Sequence, residues 1–204
     1  KIDLTKETIN RSIKASELNT LDALTTGIID ASGITSITGT AAEINTAYSS
    51  SGISGLGDET AILTDTTLSA NLLNILDNYT TGIVKAESIK TITGPISEIV
   101  QAYKSNGISG LGDEAIILAD RHTLSDLKII NNATTGIIAL NDYSIALSGS
   151  LSDLNAALDG NFASSYTGEI LITDDNFTIN QLDLISESTT GNVTSINSIL
   201  PVEN

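Results

Sequence analysis

The tripeptide Thr-Thr-Gly begins at Thr25, Thr80, Thr134 and Thr189, at steps of 55, 54 and 55 residues. A fixed step of this kind constrains the fold more than any single motif, because one such unit cannot bury its own apolar face and has to rest on its neighbours. The likeness extends well beyond the tripeptide. TTGIIDASGITSITGTAAEINTAY, from Thr25 to Tyr48, aligns without gaps on TTGIVKAESIKTITGPISEIVQAY, from Thr80 to Tyr103, with 13 of 24 positions identical. GISGLGDE starts at Gly52 and again at Gly107, and Asp65, Asp120 and Asp174 fall in one register. Thr134 to Leu158 is a third copy with one inserted residue, and a fourth stops soon after Thr189. The expectation is a single repeat-array domain over residues 1–204, cut at both ends from a longer array. The first residue, Lys1, and the lack of any Met are expected marks of a processed or excised piece.

Each period divides into two halves, and each half offers a short apolar run followed by a helix-like stretch. In the first half, Ala61-Ile62-Leu63 suits a buried strand and Ser69 caps a helix on which Leu72, Leu73 and Leu76 keep helical spacing. The region from Asn78 to Gly82 then supplies the stop. In the second half, Ile83-Val84 is strand-like, Pro95 suits a first helical position that needs no N–H, and Ile96, Ile99 and Tyr103 share a face. Thr40 and Glu43 make a capping box at the matching site one repeat earlier, and Ser150 with Asp153 offers a looser version.

The fold class that follows is α/β: a right-handed solenoid of stacked β-α coils of about 27 residues, two per repeat, leucine-rich-repeat-like or β-helix-like in shape. The runs Ile2-Leu4, Ile28-Ile29, Ala61-Leu63, Ile83-Val84, Ile116-Leu118, Ile137-Ala139, Ile170-Ile172 and Val193 are expected to form one parallel sheet with helices behind it. Ile116-Ile117-Leu118 lacks polar alternation, which predicts a strand covered on both faces. Pieces from Ile34 to Thr38 and Ile89 to Thr93 are expected to make a second short strand.

SANLLNILDNYTTG, TGTAAEINTAY and SGISGLGDE resemble tandem repeats of very large secreted or cell-surface proteins of marine cyanobacteria and related bacteria, some of them RTX-associated. SELNTLD, from Ser16 to Asp22, is similar to the ELNxLDG repeats of phage tail fibres. The resemblance covers Ala15 to about Leu158 and carries no catalytic residues. It implies an extracellular structural or adhesive role.

Composition narrows the function. The formal net charge is −16, and from Ile129 to Asn204 nine Asp and Glu occur without one Lys or Arg, which disfavours nucleic acid and anionic membrane surfaces. With Cys absent there is no disulfide, thiolate metal site or thiol nucleophile, and no apolar run is long enough to span a bilayer.

Catalytic chemistry finds one foothold. His122, the single histidine, lies near Asp120 and Ser125, but a surface turn outweighs a hydrolytic triad as its reading. Asp58, Glu59, Asp65, Asp113, Glu114 and Asp120 are candidate calcium ligands, since carboxylates and turn carbonyls suit hard cations. A glycine-rich turn with solvated acids is the favoured reading of the same residues. Sequons stand at Asn78, Asn132, Asn176 and Asn192, and the first two are expected at helix C-termini in left-handed geometry. Tyr48 and Tyr103 are expected in the core, ahead of sugar stacking.

The expected function is a non-enzymatic spacer or scaffold of an exported surface protein such as an adhesin, surface layer or filament. The alternatives are a calcium- or glycan-binding adhesion module and a phage-fibre segment. Expected partners are neighbouring repeats, end-to-end copies of the chain and a glycan or cell-surface ligand; no cofactor other than calcium is expected.

Overall fold

A computed structural model gives the fold and describes Ile2–Asp3 and residues 11–196. Leu4, in the first expected strand run, lies outside the described residues. Contacts divide the chain into two compact units, residues 1–92 with 101–111, and residues 93–100 with 112–204.

The chain is mixed α/β, with seven helices among the described residues. It runs through β1 (Ile2–Asp3), β2 (Ser12–Lys14), α1 (Ala15–Leu24), β3 (Ile29–Asp30), β4 (Ser36–Gly39) and α2 (Ala41–Ser49). Next come β5 (Ile53–Ser54), β6 (Thr60–Leu63), β7 (Thr67–Ser69), α3 (Ala70–Tyr79), β8 (Val84–Lys85), β9 (Thr91–Gly94) and α4 (Ile96–Lys104). Then follow β10 (Ile108–Ser109), β11 (Ala115–Leu118), α5 (Leu124–Ala133), β12 (Ile138–Ala139) and β13 (Leu147–Gly149). The last elements are α6 (Leu151–Leu158), β14 (Ile170–Ile172), α7 (Ile179–Glu187) and β15 (Val193–Ser195).

Most helices start where side chains satisfy their free N–H groups; α1, which follows Lys14, has no side-chain cap. Thr40 and Glu43 form a complete capping box on α2, as do Thr123 and Asp126 on α5 and Thr178 and Gln181 on α7. Ser69 and Ser150 accept from the N–H groups of Leu72 and Asp153. Pro95 lies one position earlier than expected: it precedes α4, and its carbonyl accepts from Glu98 and Ile99 at 3.1 Å. The inward faces carry Leu18 on α1, Ile44 on α2, Leu73 and Leu76 on α3, Leu127 and Ile130 on α5, and Leu154 on α6, all fully buried. Asn78 and Asn132 do lie in last helical turns, but among the described residues only glycines have positive φ. α1, α3 and α5 end instead by passing into extended backbone at Thr25, Thr80 and Thr134.

The pairings along β1–β3–β5, β2–β4–β6–β8–β10, β11–β12 and β13–β14–β15 are parallel, and the strands are shared among several sheets where one was expected. In the first unit Ile13 pairs with Ile37, Ile37 with Ala61, Ala61 with Val84, and Val84 with Ile108, which places β2, β4, β6, β8 and β10 side by side. β3 lies between β1 and β5 in a separate sheet. In the second unit β11 pairs with β12, and β14 lies between β13 and β15. Paired residues lie 22 to 24 apart in these ladders, except 27 between Ile2 and Ile29, and Thr38 Oγ1 reaches the Ile62 carbonyl across 24 residues, while most helices recur at the wider spacing of the half-repeat. A run therefore pairs with a non-equivalent piece of the next half, and the runs separate into different sheets.

The strands also start later than their apolar runs. Ile28, Ile83 and Ile137 are 47%, 38% and 50% exposed and lie one residue ahead of β3, β8 and β12. Ile117 is 47% exposed between buried Ile116 and Leu118, so β11 has one covered face, not two. Three apolar residues in succession are too few to tell these cases apart.

Candidate functional site

The recurring residues converge on contacts between one segment and the segment about 24 residues away along the chain. Thr80, Thr134 and Thr189 are buried. The Thr80 hydroxyl donates to the Glu59 carbonyl at 2.7 Å, Thr134 to Glu114 at 2.7 Å, and Thr189 to Gly168 at 2.9 Å. Each hydroxyl oxygen also accepts, at 2.9 Å, from the N–H of the glycine that closes its tripeptide, Gly82, Gly136 or Gly191. The middle threonine adds a main-chain bond, from Thr81 to the Gly57 carbonyl at 2.8 Å and from Thr135 to Gly112 at 2.9 Å. A Cβ on Gly82 would lie 2.4 Å from the Glu59 carbonyl oxygen, and one on Gly136 2.2 Å from that of Glu114. The motif is thus a clamp: a buried hydroxyl holds the carbonyl below, and only a bare Cα fits over it.

A second clamp joins helix ends to the following segment. Ser50 Oγ donates to Asp22 and Ser105 Oγ to Asp77, both at 2.6 Å. The aspartates at the shared register position do a third job. Asp65 accepts from the first helical N–H of α2, at Ala41, at 2.7 Å; Asp120 does so for Ile96 of α4 at 2.9 Å, and Asp174 for Leu151 of α6 at 2.5 Å. A carboxylate there satisfies a free donor and lies favourably at the positive end of the helix dipole. On α4 this acceptor matters most, because Pro95 has no side-chain oxygen to offer.

The six candidate calcium ligands are consequently not gathered. Asp65 and Asp120 cap helices, Asp58 and Asp113 point to solvent, and Glu59 and Glu114 are 1% and 0% exposed. Glu59 Oε2 accepts from the Gly57 and Asp58 N–H groups at 2.9 and 3.3 Å, and Glu114 repeats this with Gly112 and Asp113 at 2.8 and 3.3 Å. The turn's acids are therefore not all solvated: one of each pair folds back under its own backbone. Among the described residues no group of three or more His, Cys, Asp and Glu comes together as a metal site. Gly55 and Gly110 adopt φ of 82° and 83°, the left-handed turn that their motif requires.

No family model matches the chain, and no curated protein or solved structure matches it either. Site geometry therefore has to carry the functional reading.

His122 is not in a surface turn; it is 3% exposed. Its Nε2 lies 3.0 Å from the Tyr166 hydroxyl, which in turn donates to the Ile145 carbonyl at 2.6 Å. With that hydroxyl hydrogen committed, Nε2–H is the donor to Tyr166, and Nδ1 is left bare, without a hydrogen-bond partner. Burial pushes the His122 pKa below its ordinary value, against the nearby charges of Asp142 and Asp126, with Arg121 lowering it further. Burial likewise pushes the Tyr166 hydroxyl upward. Asp120 is engaged with Ile96, so the imagined Asp120–His122–Ser125 relay is not assembled.

Tyr48 is half-buried and stacks on Tyr79 with ring centroids 5.4 Å apart. Burial, and then the Glu59 carboxylate, raise its pKa. A polar cleft of about 330 Å³ in the second unit is lined by Phe162, Ser164, Ser165, Tyr166, Glu187 and Thr190 among others. Asn78, Asn132 and Asn176 are exposed and Asn192 is not buried. No helix among the described residues is long and apolar enough to cross a membrane.

The clamp roles of Thr80, Asp22 and Asp65 were not foreseen from sequence, although recurrence at one register was the available signal. Tyr166 had no such signal, because it occurs where the repeat departs from its own pattern.

Proposed function

We propose that the chain is a non-enzymatic spacer or scaffold segment of a larger exported surface protein, built as a solenoid of half-period coils. The observation that carries this reading is the use made of the recurring polar residues. The Thr-Thr-Gly tripeptides after α3, α5 and α7, the Asp–Ser pairs and the capping aspartates are all spent on holding one segment to another. A catalytic repeat would instead bring recurring polar groups together around a shared cavity. An acidic surface, at net charge −16, favours solubility of such a segment.

Small-angle scattering on the whole chain tests the shape. A compact globule of this length has a radius of gyration of about 17 Å. The solenoid requires a clearly larger value with an elongated distance distribution, and a radius near that of the globule would overturn it.

A further inference from the structure

We propose that the outer stripe of α7, formed by Ile179, Leu182, Asp183 and Ser186, is the seat of a further half-repeat helix of the α2 and α6 class. The proposal rests on the solenoid reading and adds to it a specific surface and occupant.

The argument is one of equivalence within the repeat. On α1 the corresponding stripe is Ala15, Leu18, Asn19 and Asp22, and the following segment covers it. Asn19 Nδ2 donates to the Glu43 carbonyl on α2 at 2.9 Å, and Asp22 accepts from Ser50. On α5 the stripe is Leu124, Leu127, Lys128 and Asn131, covered by α6: Lys128 pairs with Asp153, and Asn131 donates to the Ala157 carbonyl at 2.9 Å. On α7 the stripe is open. Ile179 is 56% exposed, whereas Ala15 and Ala70 at the same position are 0% exposed and Leu124 is part-buried. Asp183 and Ser186 face solvent, and the Ser186 hydroxyl falls back on its own helix at the Leu182 carbonyl.

The covered stripes also specify what fits. A Cβ on Gly39, just ahead of α2, would lie 3.2 Å from the Ala15 Cβ, and one on Gly149, just ahead of α6, would lie 2.4 Å from Leu124 Cδ2. The first stripe residue therefore needs a glycine immediately before the occupant's N-cap, and the larger Ile179 needs it more. Asp183 replaces the donors Asn19 and Lys128, so this seat calls for a hydrogen-bond donor on the occupant's first helical turn.

The test uses the full chain with a copy of residues 142–165 that carries Asp153→Lys, the donor that Asp183 calls for, in place of residues 197–204, beside the unextended chain, read by hydrogen exchange and by solution mass. The extension is expected to slow exchange of the α7 amides by about tenfold or more. Ile179→Asp is expected to abolish that protection in the extended chain and to leave exchange of the unextended chain unchanged. Unprotected α7 amides in the extended chain, or protection that survives Ile179→Asp, would overturn the proposal. So would an unextended chain that doubles its mass and protects the same amides, since the occupant would then be a second copy. An elongated scattering profile with unprotected α7 sinks the seat alone, whereas a compact profile sinks the solenoid.

Discussion

Thr80 shows how much a single hydroxyl can hold. It donates to one buried carbonyl and accepts from one N–H, so Thr80→Val keeps the shape and strands both partners. The expected loss is about 1–3 kcal/mol in urea unfolding, and a loss indistinguishable from zero would remove the clamp from the account. His122 makes a pH-dependent counterpart. Its folded pKa is depressed by burial, so the unfolded chain binds the proton more readily. The stability at stake is fully present above the unfolded value of about 6.5 and is lost as pH falls from there through the depressed folded value. His122→Gln should therefore flatten the decline in melting temperature between about pH 7 and 5, and an unchanged slope would show that carboxylates account for the decline. Neither partner could be read from sequence, for a shared reason. The partners, Glu59 for Thr80 and Tyr166 for His122, lie 21 and 44 residues away, and spacing rules reach only one or two helical turns.

Elements were legible to the extent that local chemistry decides them. The Thr40–Glu43 box, the Ser69 and Ser150 caps, and the buried Leu73 and Leu76 of α3 and Ile96 and Ile99 of α4 follow from spacing of three and four residues and stand where the sequence puts them, while Leu72 and Tyr103 of the same expected faces are only part-buried. Strand edges were misjudged by one residue at Ile28, Ile83 and Ile137, because an isoleucine reads as strand whether its side chain is covered or exposed. The division into several sheets was beyond reach, since it depends on the difference between the pairing interval and the helix interval. Gly82 tests the packing of clamp on carbonyl. Gly82→Ala would place a methyl group 2.4 Å from the Glu59 carbonyl oxygen, with no side chain free to yield. A cost of about 1–3 kcal/mol is expected in thermal or urea melts, despite the usual gain from restricting the unfolded chain. An unchanged melt would mean that the backbone at this level has slack.

At the scale of the whole molecule, the question is whether the acidic charge serves a metal or only solubility. The capping and buried positions of Asp65, Asp120, Glu59 and Glu114 lead to the expectation that millimolar calcium leaves the melting temperature unchanged. A rise of several degrees would overturn the spacer reading in favour of a metal-dependent module. One further consequence follows from what the Thr80 and Thr134 hydroxyls grasp. Their targets are main-chain carbonyls, an atom that every residue type supplies. A bond made in this way does not depend on the side chain of the residue that supplies the carbonyl. Substitution at Glu59 or Glu114 therefore leaves the acceptor of this bond in place, and any loss such a variant shows comes from the buried carboxylate and not from the threonine's grip.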